Sequence, residues 1–333
     1  MVMFKELFED DDGALVSDTG WRDGVSILRS DLVALSDSAL DLALVESVRR
    51  RSDGKIALLL SGGVDSSLLA VLLKKLGANF RSFCVGLPDS PDMDWSARLA
   101  AHLDIPLERV IIRSDEVEGI IDSLRPLLKD CVYPGQNLSV LFGVSAVEWA
   151  GLDAISRAGF KTVMGGLGSE EIFAGYSRHG LAKDINAECW SGLESMWGRD
   201  LVRDSILASR FNIRLSTPFL DPDLIRVAMA IPGEKKIVGD MKKYCLREAA
   251  VRLGLPREFA FRPKQAAQYG SYIDKAIERI MRKNGFKKKF TENMDGTFEI
   301  LSPKGIDSEN KKKRIKLIPH INLFLSKNFI TKL

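Results

Sequence analysis

Residues 56–67 read Ile-Ala-Leu-Leu-Leu-Ser-Gly-Gly-Val-Asp-Ser-Ser, an apolar run followed by a loop of small and hydroxyl-bearing residues. The apolar half, Ile56–Leu60, is short and bounded by turn signals, which is typical of a strand buried on both faces of a sheet. Val64–Leu76 then has the pattern of a helix that ends at Gly77. The stretch therefore predicts a buried strand, a tight loop and a helix in succession.

The alternation of strands and helices continues beyond this stretch. Further strands are predicted at Phe80–Val85, Arg109–Ile112 and Lys161–Met164, and further helices at Met93–Leu103, Glu116–Leu128 and Leu138–Ala158. Residues 171–255 are predicted to be mainly helical, with an interruption at Leu215–Phe219. We therefore expect an α/β fold, in which a doubly wound parallel sheet is followed by a mainly helical part.

The loop has the residues needed to bind phosphate groups. Gly62 and Gly63 allow positive φ and close approach of the backbone, so that successive N–H groups can point at one ligand. Ser61, Ser66 and Ser67 add hydroxyl donors, and the helix that follows adds the positive end of its dipole. The lysine of a Walker A loop is missing, which argues against ordinary transfer of a γ-phosphate.

Asp65 is the informative residue of the loop. A carboxylate inside an anion-binding loop repels phosphate unless a cation lies between them, so its position indicates Mg²⁺. The alternative is an acidic residue in the first turn of a helix, where it interacts favourably with the helix dipole.

The segment Ser61–Ser67 resembles the pyrophosphate-binding loop of the N-type ATP pyrophosphatases, in the form found in asparagine synthetases. Four more motifs follow in the family's order: residues 82–92, residues 165–176 (Gly-Gly-Leu-Gly-Ser-Glu-Glu-Ile-Phe-Ala-Gly-Tyr), Pro-Phe-Leu-Asp at 218–221 and Arg-Pro-Lys-Gln at 262–265. The resemblance implies that the protein binds ATP and splits it into AMP and pyrophosphate in order to activate a carboxylate.

The resemblance also assigns roles to individual residues. Asp65 and Glu170 would hold Mg²⁺ on the triphosphate, and Lys264 would stabilise the charge that develops as pyrophosphate leaves. The residues expected to contact ATP are Ser61, Gly62, Gly63, Asp65, Ser66, Ser67, Val85, Gly165 and Gly166.

The sequence departs from asparagine synthetases in the half of the site that would bind the acceptor. Those enzymes begin with a glutaminase domain whose cysteine nucleophile follows the initiator methionine, whereas this sequence has Val2 and about sixty residues before the loop. We therefore expect free ammonia or a separate glutaminase subunit. Leu167 stands where the family usually has glutamate, and Arg214 and Ser216 replace a glutamate and an arginine. Arg178, Arg214 and His179 are candidates for binding a different anionic substrate.

Composition and charge limit the remaining possibilities. The 333 residues are 45% hydrophobic and 28% charged, as in soluble globular proteins, and no apolar run predicts a membrane span. Four widely spaced cysteines favour neither a zinc site nor disulfides, which indicates a reducing cytoplasm. We predict a helical N-terminal lead-in at 1–53, an ATP-pyrophosphatase and asparagine synthetase-like domain at 54–280, and a basic extension at 281–333. Residues 279–333 contain 14 Lys or Arg against 5 Asp or Glu, which favours a polyanionic partner such as tRNA.

Three functions remain open. The first is an ATP-dependent, AMP-forming ligase that adenylates a small-molecule carboxylate and transfers ammonia to it. The second is a tRNA-modifying ATP pyrophosphatase that amidates a carboxymethyl-uridine, with the basic tail contacting the tRNA. The third is a regulatory subunit that binds ATP without turnover.

Overall fold

The structure is a computed structural model, and it describes residues 9, 14–30, 37–129, 131, 138–263 and 265–283. Its centre is one five-stranded sheet in which every pairing is parallel and the strand order is β3-β2-β1-β4-β5. The strands are β1 (Lys55–Leu59), β2 (Asn79–Gly86), β3 (Leu107–Ile111), β4 (Thr162–Met164) and β5 (Arg214–Ser216).

Helices cover both faces of this sheet. In the first half they are α1 (Asp18–Ser30), α2 (Asp37–Arg49), α3 (Val64–Lys75), α4 (Pro91–Leu103), α5 (Glu116–Leu128), α6 (Leu138–Arg157), α7 (Ser169–Ile172) and α8 (Ser177–Leu181). In the second half they are α9 (Ile185–Glu194), a π-helical turn at Trp197–Leu201, α10 (Val202–Arg210), a 3₁₀ turn at Pro218–Leu220, α11 (Pro222–Ala230), α12 (Gly233–Lys236), α13 (Tyr244–Arg252), α14 (Arg257–Ala260), α15 (Ala267–Gly270) and α16 (Ile273–Lys283).

Alternation of side chains along β1 explains why the sheet is covered on both faces. Ile56 and Leu58 belong to one hydrophobic core and Ala57, between them, belongs to the other. All three are fully buried, as expected of a central parallel strand whose successive side chains point to opposite faces. The predicted α/β fold with a doubly wound parallel sheet is confirmed.

The strand order locates a crevice. From β1 the chain moves outward to β2 and β3, and it then returns to the other side of β1 to form β4 and β5. In open α/β sheets, ligands bind beyond the carboxyl ends of the strands where the order reverses. Here β1 pairs with β2 on one side and with β4 on the other, and all three strands are parallel. The loops that follow β1 and β4 therefore leave the same edge of the sheet side by side at that point.

The N-terminal helices pack onto the rest of the described chain. The indole Nε1 of Trp21 donates to the carbonyl oxygen of Leu193 at 2.9 Å, and Trp21 and Leu44 lie in the same core as Ile56. The helices α1 and α2 lie within the predicted lead-in at 1–53, and the predicted division of the chain at 53 and 280 stays a prediction. Nearly all of the predicted basic extension at 281–333 lies outside the described residues.

Two features differ from the sequence-based expectations. Ser139–Arg157, within α6, is apolar and long enough to cross a membrane by length and composition alone, whereas no such run was predicted. In this fold its Ala146, Leu152 and Ile155 are buried in the core that contains Ala57. The strand β5 was also missed, because it has only three residues and lies within a mainly helical region.

Candidate active site

The loop after β1 is held in shape by its own backbone and by α4. Gly62 has φ of 76°, and a Cβ added there would come within 2.6 Å of the Trp95 Cβ. Gly63 is the N-cap of α3, and its N–H donates to Ser61 Oγ at 3.3 Å. The sequence therefore has glycine at the one loop position where both the backbone dihedral and the packing exclude a side chain.

The predicted loop serines differ in accessibility. Ser61 is half-buried, and its hydroxyl lies 3.3 Å from that of Ser66. Ser67 is fully buried, and among the described residues its Oγ has no hydrogen-bond partner. The open face of the loop is therefore formed by Ser61, Gly63 and the first residues of α3, whereas the Ser67 hydroxyl is enclosed by protein.

The loop after β4 brings Glu170 to the first loop. A Cβ on Gly166 would lie 3.0 Å from the Asp65 Cβ, so the two backbones approach closely at this glycine. Ser169 then begins α7 and donates its hydroxyl to Asp65 Oδ1 at 2.5 Å. These contacts place Glu170, the next residue, beside Asp65, and the role of the two as metal ligands stays a prediction.

One lysine contacts both carboxylates. Lys243 Nζ lies 2.9 Å and 2.8 Å from the two carboxylate oxygens of Asp65, 2.6 Å from Glu170 Oε1 and 3.1 Å from Ser169 Oγ. The Lys243 side chain is 2% exposed, against 22% for Asp65 and 21% for Glu170. Burial lowers the pKa of Lys243, but the two carboxylates outweigh that effect and hold the pKa above its usual value.

A second cation, Arg262, joins the motif at residues 262–265, here called the late motif, to the loop that follows β1. Arg262 donates through Nη1 to the Ser61 carbonyl oxygen and through Nη2 to Asp92 Oδ1, each at 2.6 Å. Arg262 is followed by Pro263, which lines the same cleft. Lys264, predicted to be catalytic, lies outside the described residues, and its role stays a prediction.

Arg247 contacts the backbone next to this motif. Its guanidinium donates to the carbonyl oxygens of Lys242, Ala260 and Arg262 at 2.9, 2.6 and 3.0 Å. Because it binds three carbonyl groups rather than a carboxylate, Arg247 joins the backbone just before α13 to the backbone at the start of the motif at 262–265.

These groups line one polar cleft. Its lining residues are Ser61, Gly63, Val64, Asp65, Asp92, Glu170, Lys243, Arg247, Arg262, Pro263 and Gln265. Within the described ranges, no group of three or more His, Cys, Asp or Glu forms a complete metal site. A pair of carboxylates suits Mg²⁺ that takes its other ligands from phosphate and water, which is how this ion is usually bound with nucleotides.

The two remaining predicted ATP contacts lie near the cleft but do not line it. Val85 is buried near the end of β2. Gly165 follows β4, and its N–H donates to the Ser216 carbonyl oxygen at 3.2 Å. Both remain predictions as nucleotide contacts.

The three candidate acceptor residues differ in burial and in their partners. His179 is fully buried, and its Nδ1 accepts the Tyr176 N–H at 3.0 Å. Burial lowers the pKa of His179 to about 4, so the imidazole is neutral at pH 7. Arg178 pairs with Glu188 at 2.8 Å, and Arg214 is exposed at the amino end of β5, away from the loops. Binding of an anionic substrate by any of these residues therefore stays a prediction.

Lys243 and Arg247 are site residues that the sequence interpretation missed. They lie four residues apart at the start of α13, a helix with no acidic residue in its first turn. A basic residue at the amino end of a helix opposes the helix dipole, so the position of Lys243 was a usable signal of an anionic neighbour.

A family model described as Asparagine synthase matches residues 39–191 and 180–293. Asparagine synthetase B (glutamine-hydrolyzing) of Escherichia coli strain K12 is 30% identical over 274 residues, which cover 73% of this chain and 48% of that protein. Asparagine synthetase 1 (glutamine-hydrolyzing) of Arabidopsis thaliana is 30% identical over 250 residues, covering 68% and 42%. The chain thus spans about half the length of the curated relatives it matches. Among solved structures, NMN synthetase from Francisella tularensis aligns with a TM-score of 0.41 at 15% identity, over 78% of this chain and 100% of that chain.

Proposed function

The chain belongs to the asparagine synthase family, and from that membership and its site we propose that it is an ATP-dependent, AMP-forming ligase that converts a carboxylate into an amide. The observation that carries the proposal is the contact of Asp65 and Glu170 with one lysine beside the loop that follows β1. The loop and the carboxylate pair come from two neighbouring strands, at the position where open α/β sheets bind ligands.

Each part of the cleft has a place in this reaction. The amides of the Ser61–Ser67 loop and of α3 would bind phosphate oxygens, and Asp65 with Glu170 would hold Mg²⁺, which neutralises the triphosphate when bound. The substrate carboxylate would attack the α-phosphorus, forming an acyl-adenylate and releasing pyrophosphate. Ammonia would then attack the acyl carbon and release AMP. Lys264 would stabilise the charge on the leaving pyrophosphate.

The loop after β4 bears on the nucleophile that attacks the activated carboxylate. Leu167 packs against the first core, so at this position the loop after β4 supplies no general base. We therefore propose ammonia, free or delivered by a separate glutaminase subunit, as a nucleophile that enters as the uncharged amine.

A screen for AMP formation tests the proposal. The protein is incubated with Mg²⁺, ATP and ammonium, together with aspartate, other small carboxylates or bulk tRNA, and AMP and pyrophosphate are quantified. With one of these acceptors, we expect the unmodified protein to form AMP at least about 100 times faster than the Asp65→Asn protein does, because the Asp65→Asn change removes a metal ligand. The Glu258→Gln protein, altered at an exposed carboxylate that pairs with Arg98, is the matched control.

The screen also separates the alternatives. AMP formed only with tRNA would replace the small-molecule acceptor by an RNA. ATP binding without AMP or pyrophosphate under any condition would replace the ligase by a regulatory ATP-binding protein. ADP and phosphate as the products would contradict the proposed bond cleavage.

A further inference from the structure

Lys243 holds the carboxylate oxygens that a divalent metal ion would need. Its ammonium is within 2.9 Å of both oxygens of Asp65 and within 2.6 Å of Glu170 Oε1. A metal ion that binds these carboxylates must share them with a positive charge already in place. Like charges repel strongly at such distances when water is largely excluded.

The local structure around Lys243 is costly for a lysine. The residue has φ of 56°, in the left-handed region that non-glycine residues seldom occupy, and it is the N-cap of α13, where positive charge opposes the helix dipole. Its side chain is also buried. Because all three features disfavour lysine, the two carboxylates are the interaction that stabilises the ammonium here.

The surroundings leave the ammonium little room to move away. A Cβ placed on Gly175 would collide with the Glu170 carboxylate and with Cε of Lys243. The Ser169 hydroxyl, 3.1 Å from Nζ, contacts the ammonium as well. Lys243 is therefore fixed against the carboxylate pair and not merely drawn to it from the surface.

We propose that Lys243 is a positioning residue that serves as the resident counter-ion of Asp65 and Glu170, and that it makes divalent metal binding depend on the nucleotide. The inference rests on the proposed function, in which these carboxylates hold Mg²⁺. Without nucleotide, a metal ion meets a carboxylate pair whose negative charge is already halved by the ammonium. The triphosphate adds negative charge, so that metal and ammonium both have anionic partners and can be held together.

Mn²⁺ binding to the nucleotide-free protein tests this inference. Free Mn²⁺ is measured by electron paramagnetic resonance during titration of the unmodified, Lys243→Met and Lys242→Met proteins. We expect Lys243→Met to bind Mn²⁺ at least about tenfold more tightly than the unmodified protein, because the competing charge is gone. Lys242→Met should match the unmodified protein, since Lys242 is only half-buried and its ammonium bonds to Ser177 Oγ at 3.1 Å rather than to the carboxylate pair. Equal affinity in all three would overturn the proposal.

Two further variants separate charge from packing. Lys243→Gln, which is neutral but keeps a hydrogen-bond donor, should bind Mn²⁺ as tightly as Lys243→Met does. Lys243→Arg, which keeps the charge, should bind it as weakly as the unmodified protein. Circular dichroism reports whether each variant is folded. If neither neutral variant folds, the Mn²⁺ affinity of the unmodified protein without nucleotide tests the proposal. A dissociation constant in the micromolar range overturns it, and one in the millimolar range supports it.

The outcome is independent of the ligase proposal because no turnover is measured. If no acceptor gives AMP but Lys243→Met still binds Mn²⁺ more tightly, the proposed function fails and the role of Lys243 as counter-ion stands. If AMP forms normally and the Mn²⁺ affinities are equal, the reverse holds.

Discussion

Arg262 Nη2 contacts Asp92 Oδ1 at 2.6 Å, and both side chains are more than nine-tenths buried. The pair joins the segment before Lys264 to the start of α4, while the other terminal nitrogen of Arg262 holds the Ser61 carbonyl oxygen. One guanidinium thus links the late motif, the second motif and the phosphate-binding loop. It explains how segments about 200 residues apart form one cleft.

The pH dependence of stability tests the burial of Asp92. Burial raises the pKa of its carboxyl to about 6, although Arg262 opposes the shift. The folded protein therefore binds this proton more strongly than the unfolded chain does. Between about pH 4 and pH 6 the free energy of unfolding should fall as pH rises, by about 1–3 kcal/mol from this group. Denaturant titrations of unmodified and Asp92→Asn proteins measure the difference. A difference that stays constant over this range would contradict the assignment.

Gly175 leaves the space that Glu170 and Lys243 occupy. In Gly175→Ala, the added methyl group would collide with both side chains and displace them from Asp65. We expect AMP formation to fall at least about tenfold while the fold is retained, since a misplacement of about 1 Å can have such effects. Gly180→Ala is the matched control, because a Cβ there meets nothing within 4 Å. Equal activity of the two variants would count against this arrangement.

Alanine at Gly62 should be destabilising both because φ is positive there and because its methyl group would meet Trp95. Gly54, which has only the positive φ, separates the two effects. Both Gly62 and Gly54 have φ near 77°, at 76° and 78°, but only at Gly62 would a Cβ also meet Trp95. Gly54→Ala should therefore lose about 1 kcal/mol of stability from the backbone alone, and Gly62→Ala clearly more. ATP affinity, measured by calorimetry, should fall only in Gly62→Ala. Similar losses in both variants would show that Trp95 gives way.

Asp221 should matter for stability rather than for chemistry. It is fully buried, pairs with Arg51 at 2.8 Å and caps α11 by accepting from the N–H groups of Asp223 and Leu224. Asp221→Ala leaves Arg51 buried without this charge, and we expect a loss of about 3–5 kcal/mol in the free energy of unfolding. Asp223→Ala, at a side chain 56% exposed, should cost less than about 1 kcal/mol. Comparable losses in chemical denaturation would refute the distinction.

The parts of the fold carried by local pattern were predictable. The strand at Ile56–Leu60 and the helix after it follow from a short apolar run, two glycines and an apolar helical segment, all of which act over a few residues. The strand β5 was not predicted, because three residues are too few to establish an alternating pattern. It becomes a strand only because β4 offers it a partner.

The site was predictable where it lies within one motif and not where it depends on distant contacts. Asp65 and Glu170 were both named from their loops. Lys243 was not, because its place at the amino end of a helix indicates an anionic neighbour but does not identify that neighbour as Asp65, 178 residues away. The neutral state of His179 likewise depends on burial by the whole fold.

Transfer of an oxygen isotope tests the central claim most directly. The carboxylate that supports AMP formation is labelled with ¹⁸O in both oxygens, and the AMP produced with ammonium is analysed by mass spectrometry. Attack of the carboxylate on the α-phosphorus leaves one of its oxygens on AMP when ammonia displaces the nucleotide. The proposed reaction therefore predicts AMP carrying one ¹⁸O per molecule. Unlabelled AMP, or ADP with labelled phosphate, would contradict adenylation.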